Sequence, residues 1–223
     1  MPSRSAKVSR DLVHHPVFAR FYARQSVAAE TVMRAHREEL LAGISGRVIE
    51  IGAGNGLNFS YYPSTVSEVV ALEPERLLRK LAADAALRAE MPVDVVPGAA
   101  EALPVKSEAF DAAVFSLVLC SVRSVERSLA EALRVLRPGG ELRFLEHGRA
   151  PSGRVMPRAQ KALDRTVWPL LFGGCHVARE PLAAIEDAGF SVVTYRRLLI
   201  PARGPRLPSS YCVLGTARRP GTA

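Results

Sequence analysis

Apolar side chains recur at helical spacing at the start of this chain and at strand spacing after it. Pro16 opens a run through Val17, Phe18, Phe21 and Tyr22 with helical periodicity, and a second helical stretch over 27–41 stops at Gly43. From residue 47 the pattern shortens to nearly continuous apolar runs at 47–51, 68–72, 93–96 and 110–115, separated by helical stretches around 75–90 and 124–136. Short buried strands alternating with helices indicate repeated βαβ units and a parallel sheet. After the breaker Pro138-Gly139-Gly140 a fifth strand is expected over 141–145, then a helix over 178–188 and two strands over 190–196 and 211–216. A proline-rich turn joins those last two, so they run antiparallel and one reversed strand joins the sheet. The pattern predicts an α/β, Rossmann-like sheet of seven strands with helices on both faces.

Residues 1–43 are expected to form an N-terminal helical cap or lid, and 44–223 the main domain. Within the latter, 148–176 holds three Pro and four Gly. A connection of that length is expected to be a substrate lid with a short helix of its own.

Composition narrows the setting. A chain of 223 residues with 48% hydrophobic and 23% charged residues builds one sizeable core. It contains no apolar run of the roughly 18–20 residues needed to cross a bilayer, and no apolar signal core follows Met1. A cytoplasmic protein without stable membrane insertion is expected. Cys120, Cys175 and Cys212 are far apart, odd in number and lack a CxxC pair, so neither a disulfide framework nor a metal site is indicated. The net charge of +8 comes mostly from Arg, 26 of the 30 basic residues, scattered along the chain. The densest group, Arg196, Arg197, Arg203 and Arg206, lacks interleaved aromatics, so no nucleic-acid partner is expected.

The strongest chemical motif is Glu50-Ile51-Gly52-Ala53-Gly54-Asn55-Gly56-Leu57-Asn58, after a strand and before an expected helix. Its glycines let the backbone turn tightly and approach a ligand at the strand's carboxyl end. A dinucleotide fingerprint requires glycine at 52, 54 and 57, but position 57 is Leu and the third glycine is Gly56. Glu50 would repel a pyrophosphate and attract the ammonium and sulfonium of S-adenosylmethionine. Glu73, followed by Pro74, closes the second strand at the spacing where an acidic side chain accepts hydrogen bonds from both ribose hydroxyls. Ala53, Gly54, Gly56 and Asn58 complete the expected cofactor loop. In Gly98-Ala99-Ala100-Glu101 the position beside the glycine is Ala99. Adenine recognition is therefore assigned to backbone and apolar contacts around Ala100, with Glu101 as an acidic candidate. Ser116 and Leu117, ending the fourth strand, are placed to offer carbonyls to the methionine ammonium.

These motifs resemble the class I S-adenosylmethionine-dependent methyltransferases across about 47–147. A narrower resemblance, to the methyltransferase-like thiol S-methyltransferases, is carried by Leu117 through Val122, by Glu146-His147, and by Leu163-Asp164, Trp168, Gly174-Cys175 and Arg179-Glu180. It implies Glu73 as the ribose ligand and places Gly174-Cys175 near the acceptor, so Cys120, Asp164, Trp168 and Cys175 become candidate substrate contacts. The animal members carry a hydrophobic anchor that has no counterpart here, and Asp where this chain has Glu73.

Methyl transfer is an in-line displacement, and catalysis consists largely of aligning the nucleophile and excluding water. His147, just past the fifth strand, is the first candidate base, and His176 in the lid the second. Tyr22 is a candidate for closing over the sulfonium. The expected activity is methylation of a small-molecule acceptor, foremost a thiol, with S-adenosylhomocysteine as product. Phenol or quinone oxygen or carbon, amine and lipid head group are the alternatives, followed by a non-catalytic cofactor-binding protein and an RNA methyltransferase. Oligomeric state has no signature in the sequence.

Overall fold

The computed structural model describes residues 16–151 and 153–221. Seven strands, β1 (Gly46–Ile51), β2 (Val66–Leu72), β3 (Val93–Val96), β4 (Phe110–Ser116), β5 (Leu136–His147), β6 (Ser191–Leu199) and β7 (Tyr211–Arg218), form one sheet in the order β3-β2-β1-β4-β5-β7-β6. Strand β7 is antiparallel to both its neighbours and the other pairings are parallel. The sheet and its single reversed strand are as the sequence predicts.

The central strands are buried on both faces, which is why they read as continuous apolar runs. One face carries Ile49, Ile51, Leu72, Phe110, Phe115 and Phe144. Against it pack Leu129, Ala132 and Val135 of α4 (Val125–Val135) and Ile185 of α7 (Pro181–Asp187). The other face carries Val48, Val69, Ala71, Val114 and Leu145. It is covered by Met33, Leu40 and Leu41 of α2 (Glu30–Leu41) and Ala82 of α3 (Arg76–Ala86). Each fully buried phenylalanine in this core contributes roughly 1.5–3 kcal/mol. Local signals set the helix starts: Glu75 accepts from Leu78 N at 2.9 Å to cap α3, and Ser124 from Arg127 N at 3.2 Å to cap α4. Among the described residues no helix is long and apolar enough to cross a membrane.

Three local expectations are corrected. No helix follows the glycine loop; residues 59–61 make a single 3₁₀ turn. The left-handed Gly56 (φ +77°) and Pro63 bracket too few residues for an α-helix, and proline lacks the N–H to extend one. Strand β5 starts at Leu136 and runs through Pro138-Gly139-Gly140, where a register shift opposite Phe110 absorbs the irregularity. There Gly139 N donates to Arg219 O and Arg219 N to Gly140 O, at 3.0 and 2.9 Å, so the C-terminal segment pairs with the expected breaker. The segment 148–176 contains two helices, α5 (Val155–Asp164) and α6 (Trp168–Leu171), where one short helix was expected. The first helix, α1 (Pro16–Ala28), lies beside α3 and brings Tyr22 to the glycine loop.

Candidate active site

The carboxyl ends of β1, β2, β4 and β5 meet at one edge, where an open α/β sheet offers a ligand crevice. After β1, Gly52 N and Ala53 N both donate to Leu72 O, at 2.8 and 2.9 Å, turning the chain sharply. Gly52 has φ +72°, and a Cβ there would lie 2.6 Å from Val118 Cγ2. Gly54 faces the Tyr22 ring, which a Cβ would approach at 3.2 Å. Glu73 sits where its spacing predicts, against this loop. Its Oε2 accepts from Gly54 N and its Oε1 from Glu75 N, both at 2.8 Å. Burial pushes the Glu73 carboxyl up to about 7. The carbonyls of Glu73 and Pro74 accept from Arg79 Nη1.

Glu50 and Asn58, expected at the ligand, are turned into the protein. Glu50 accepts from Asn58 Nδ2 at 2.7 Å and Tyr62 Oη at 2.8 Å. Asn58 Oδ1 accepts from Arg37 Nη1 at 2.6 Å, and Arg37 Nε donates to Glu30. Burial raises Glu50 to about 7, so this chain of partners buttresses the loop from behind with a carboxyl poised between its two charge states. Arg37 and Tyr62 have no motif signature; a buried arginine on an amphipathic helix reads as an ordinary surface residue until the sheet is folded.

Glu101 is likewise committed to the protein. Its Oε1 accepts from Arg123 N at 2.8 Å and Ser124 N at 3.3 Å, tying its loop to the start of α4. Ala100 is buried next to it.

Beyond Ser116 the chain passes through Leu117 at φ +61°, a left-handed conformation held by Leu117 N donating to Leu145 O at 2.7 Å. The next three amides, of Val118, Leu119 and Cys120, all donate to the carboxylate of Glu146, at 2.8, 2.9 and 3.2 Å. Glu146 is fully buried, and that burial raises its carboxyl to about 7. Arg179 clamps the same loop from the other side through the carbonyls of Leu119 and Val122. Sequence reasoning gave Glu146 no role, although an acidic residue ending an apolar strand was a usable signal.

Held in this way, Cys120 meets His147 from the end of β5 and Cys175 from the lid. Cys175 Sγ lies 3.5 Å from His147 Nδ1, and the two sulfurs and an imidazole nitrogen are all within 4.8 Å of one another. The hydrogen bond from Cys120 lowers the Cys175 thiol. Burial opposes charge on His147, but the hydrogen bond and charge of Cys120 outweigh it and raise the imidazole. Cys120 and His147 line a cavity of about 250 Å³ whose wall also includes Leu119, Arg179 and Pro181. Trp168 stacks on Phe172 at 4.2 Å and packs on the cysteines. Burial raises the Tyr22 hydroxyl, whose ring stands against Gly54 of the glycine loop.

Two candidates fall outside that convergence. Asp164 uses both oxygens to accept from Val177 N and Ala178 N, at 2.8 and 2.9 Å, pinning the lid. His176 stands beside Asp164 at 3.7 Å; burial lowers its imidazole, and its backbone N–H donates to Cys120 O.

Residues 49–144 match the methyltransferase domain family. The chain is 34% identical over 197 residues to human thiol S-methyltransferase TMT1A, covering 82% of this chain and 79% of that protein. It is 36% identical over 184 residues to human thiol S-methyltransferase TMT1B, covering 79% and 73%. Among solved structures, an S-adenosylmethionine-dependent methyltransferase from Mesorhizobium loti superimposes with a TM-score of 0.64 at 20% identity, over 84% of this chain and 98% of that one. That likeness is one of fold.

Proposed function

This chain belongs to the family of S-adenosylmethionine-dependent methyltransferases that includes the thiol S-methyltransferases, and on that premise we propose that it methylates the sulfur of a small thiol. The observation carrying the acceptor assignment is the Cys120–His147–Cys175 cluster, of which Cys120 and His147 line the 250 Å³ cavity and Cys175 lies behind them. An imidazole beside polarizable sulfur suits a soft nucleophile, and a cavity of about 250 Å³ that also carries Arg123, Glu126, Arg179 and Glu180 on its wall suits an acceptor of few atoms with a polar end.

The residues present fit the cofactor. Glu73 at the end of β2 is oriented by the amides of Gly54 and Glu75, and the remaining lone pair of each oxygen would accept from a ribose hydroxyl, while the left-handed turn at Gly52, Gly54 and Gly56 keeps side chains out of the approach. Ala100 would supply apolar contact for the adenine, and the end of β4 at Ser116 and Leu117 would offer carbonyls to the ammonium. Glu73, the carboxyl that stands at this edge, biases it toward a cation when ionised. When bound, S-adenosylmethionine supplies an electrophilic methyl carbon.

Within this reading the His147 imidazole takes the acceptor's proton, and Leu119 and Pro181 on the cavity wall exclude water. The acceptor sulfur forms its bond to the methyl carbon as the bond to the sulfonium breaks, with that electron pair remaining on the donor's sulfur. Tyr22 closes the site from α1. We also propose a reducing, cytoplasmic setting, with which three free cysteines are in keeping.

The test is transfer of labelled methyl groups to a panel of small thiols, phenols, quinols and amines. Transfer to thiols is expected; transfer to oxygen, nitrogen or carbon acceptors alone would refute the assignment.

A further inference from the structure

Cys120, Cys175 and His147 come from three separate segments, yet their donor atoms converge beside one cavity. We propose that these side chains bind a soft divalent cation of the zinc type, leaving a fourth coordination position open toward the cavity for the acceptor's sulfur. The identity of the fourth ligand rests on the thiol reading above; the three-residue site does not.

Geometry supports the first three ligands. Around a tetrahedral zinc, with bonds of about 2.3 Å to sulfur and about 2.0–2.1 Å to nitrogen, a sulfur and a nitrogen ligand stand about 3.6 Å apart. The Cys175 Sγ to His147 Nδ1 distance is 3.5 Å. Two sulfur ligands would stand about 3.8 Å apart in the same geometry. Cys120 Sγ lies within 4.8 Å of the other two donors, so a small rotamer adjustment closes the set. Two thiols and an imidazole select zinc-like ions over magnesium or calcium. Three protein ligands and one open position is the pattern of catalytic zinc sites, whereas structural ones are closed by a fourth.

The surroundings are also prepared. The backbone of Cys120 is fixed from both sides, its N–H by Glu146 and its carbonyl by His176 N at 2.7 Å, while Cys175 N donates to Phe172 O at 3.0 Å. Neither sulfur is needed to hold its own loop. The buried indole N–H of Trp168 meets no acceptor at ordinary hydrogen-bond distance among the described residues, yet it stands near enough to Cys175 to help lower that thiol. A metal-bound thiolate is a better acceptor than a thiol and would supply one.

The ion would replace His147 as the agent that removes the acceptor's proton: bound to the metal through its nitrogen electron pair, the imidazole gives up the base role it has in the metal-free reading. The acceptor's S–H bond breaks, the proton passes to solvent, and the sulfur electron pair binds the ion, which deprotonates a coordinating thiol outright. After methylation the neutral thioether is a poorer ligand and leaves.

The experiment is cobalt(II) titration of the full chain, reduced and stripped of metal under anaerobic conditions. The expected result is about one ion per chain with sulfur-to-cobalt charge-transfer absorption and tetrahedral visible bands. Cys120→Ser and Cys175→Ser should each weaken binding at least about tenfold while S-adenosylhomocysteine binding persists. As a readout needing no variant, zinc should slow alkylation of Cys120 and Cys175 in the native protein. The proposal is overturned by absence of a charge-transfer band, by bands unaltered in both serine variants, or by a Cys120–Cys175 disulfide that persists under reductant. Thiol methylation that survives complete metal removal would overturn the acceptor's sulfur as fourth ligand and leave the thiol reading intact. The expected cobalt spectrum in an enzyme that methylates only oxygen or nitrogen would support the three-residue site and refute the thiol reading.

Discussion

Replacing Glu146 by alanine isolates the device that shapes the acceptor side of the site. Its carboxylate accepts three consecutive backbone N–H groups, two of them fully buried, at 2.8, 2.9 and 3.2 Å. Alanine leaves all three without an acceptor. A buried donor without a partner costs about 1–3 kcal/mol. Counting the two buried amides fully and the third in part gives a loss of roughly 3–5 kcal/mol, comparable with breaking a buried charge pair. Glutamine keeps the Oε1 position that serves Val118 and Leu119 but turns an NH₂ toward Cys120 N, so about 1–2 kcal/mol is expected. Because the loop carries Leu117 at φ +61° and ends at Cys120, the glutamine variant should also raise KM for the acceptor more than it changes cofactor affinity. Urea unfolding of the three proteins, with acceptor and cofactor titrations of wild type and Glu146→Gln, checks both statements. A loss below about 1 kcal/mol for Glu146→Ala would refute the claim that these amides depend on one carboxylate.

Glu73→Ala should weaken cofactor binding by roughly 1–3 kcal/mol, measured by calorimetry, through lost hydrogen bonds to the ribose. Its carboxyl is raised from 4.5 to about 7, so the two-acceptor form fades as pH drops through 7 and wild-type cofactor affinity should fall with it. Glu73→Gln should flatten that profile. In the ligand-free protein the same shift contributes stability that is complete below about 4.5 and lost as pH rises through about 7, so stability and cofactor affinity should show opposite pH trends. Gly52→Ala should cost roughly 2–4 kcal/mol, combining a left-handed φ with the clash on Val118, and Val118→Ala should recover part of it in a double-mutant cycle of unfolding midpoints. His147→Ala should reduce kcat/KM most for thiols of high pKa and least for acidic ones, and an equal loss across a thiol series would assign the imidazole a packing role.

The order of strands and helices was legible because each element's burial is written in its own neighbourhood. Phe110 through Phe115 reads as a buried strand without knowledge of its partners, and Gly52 to Gly56 reads as a tight turn because so few residues tolerate that backbone. Glu73 was legible for a related reason, since a strand–loop–strand unit of fixed length places it at the loop. Glu50, Asn58, Glu101 and Asp164 carried motif-like positions, but their hydrogen-bond capacity is taken up by Tyr62, Arg37, the start of α4 and residues 177–178. A position in a motif does not show which way a side chain turns.

By itself the sequence determined the seven-stranded sheet, its reversed strand and the glycine loop, all properties of spacing within some twenty residues. Only the tertiary structure decided that three cysteine and histidine side chains, scattered between 120 and 175, would meet. The register of β4 against β5 sets Ser116 beside Leu145, which puts Glu146 under the loop that carries Cys120 and sets His147 facing it. The two helices α5 and α6, pinned by Asp164, bring Cys175 back across them. Contacts of that range depend on how separate elements pack, and no local pattern of apolar and polar residues encodes them.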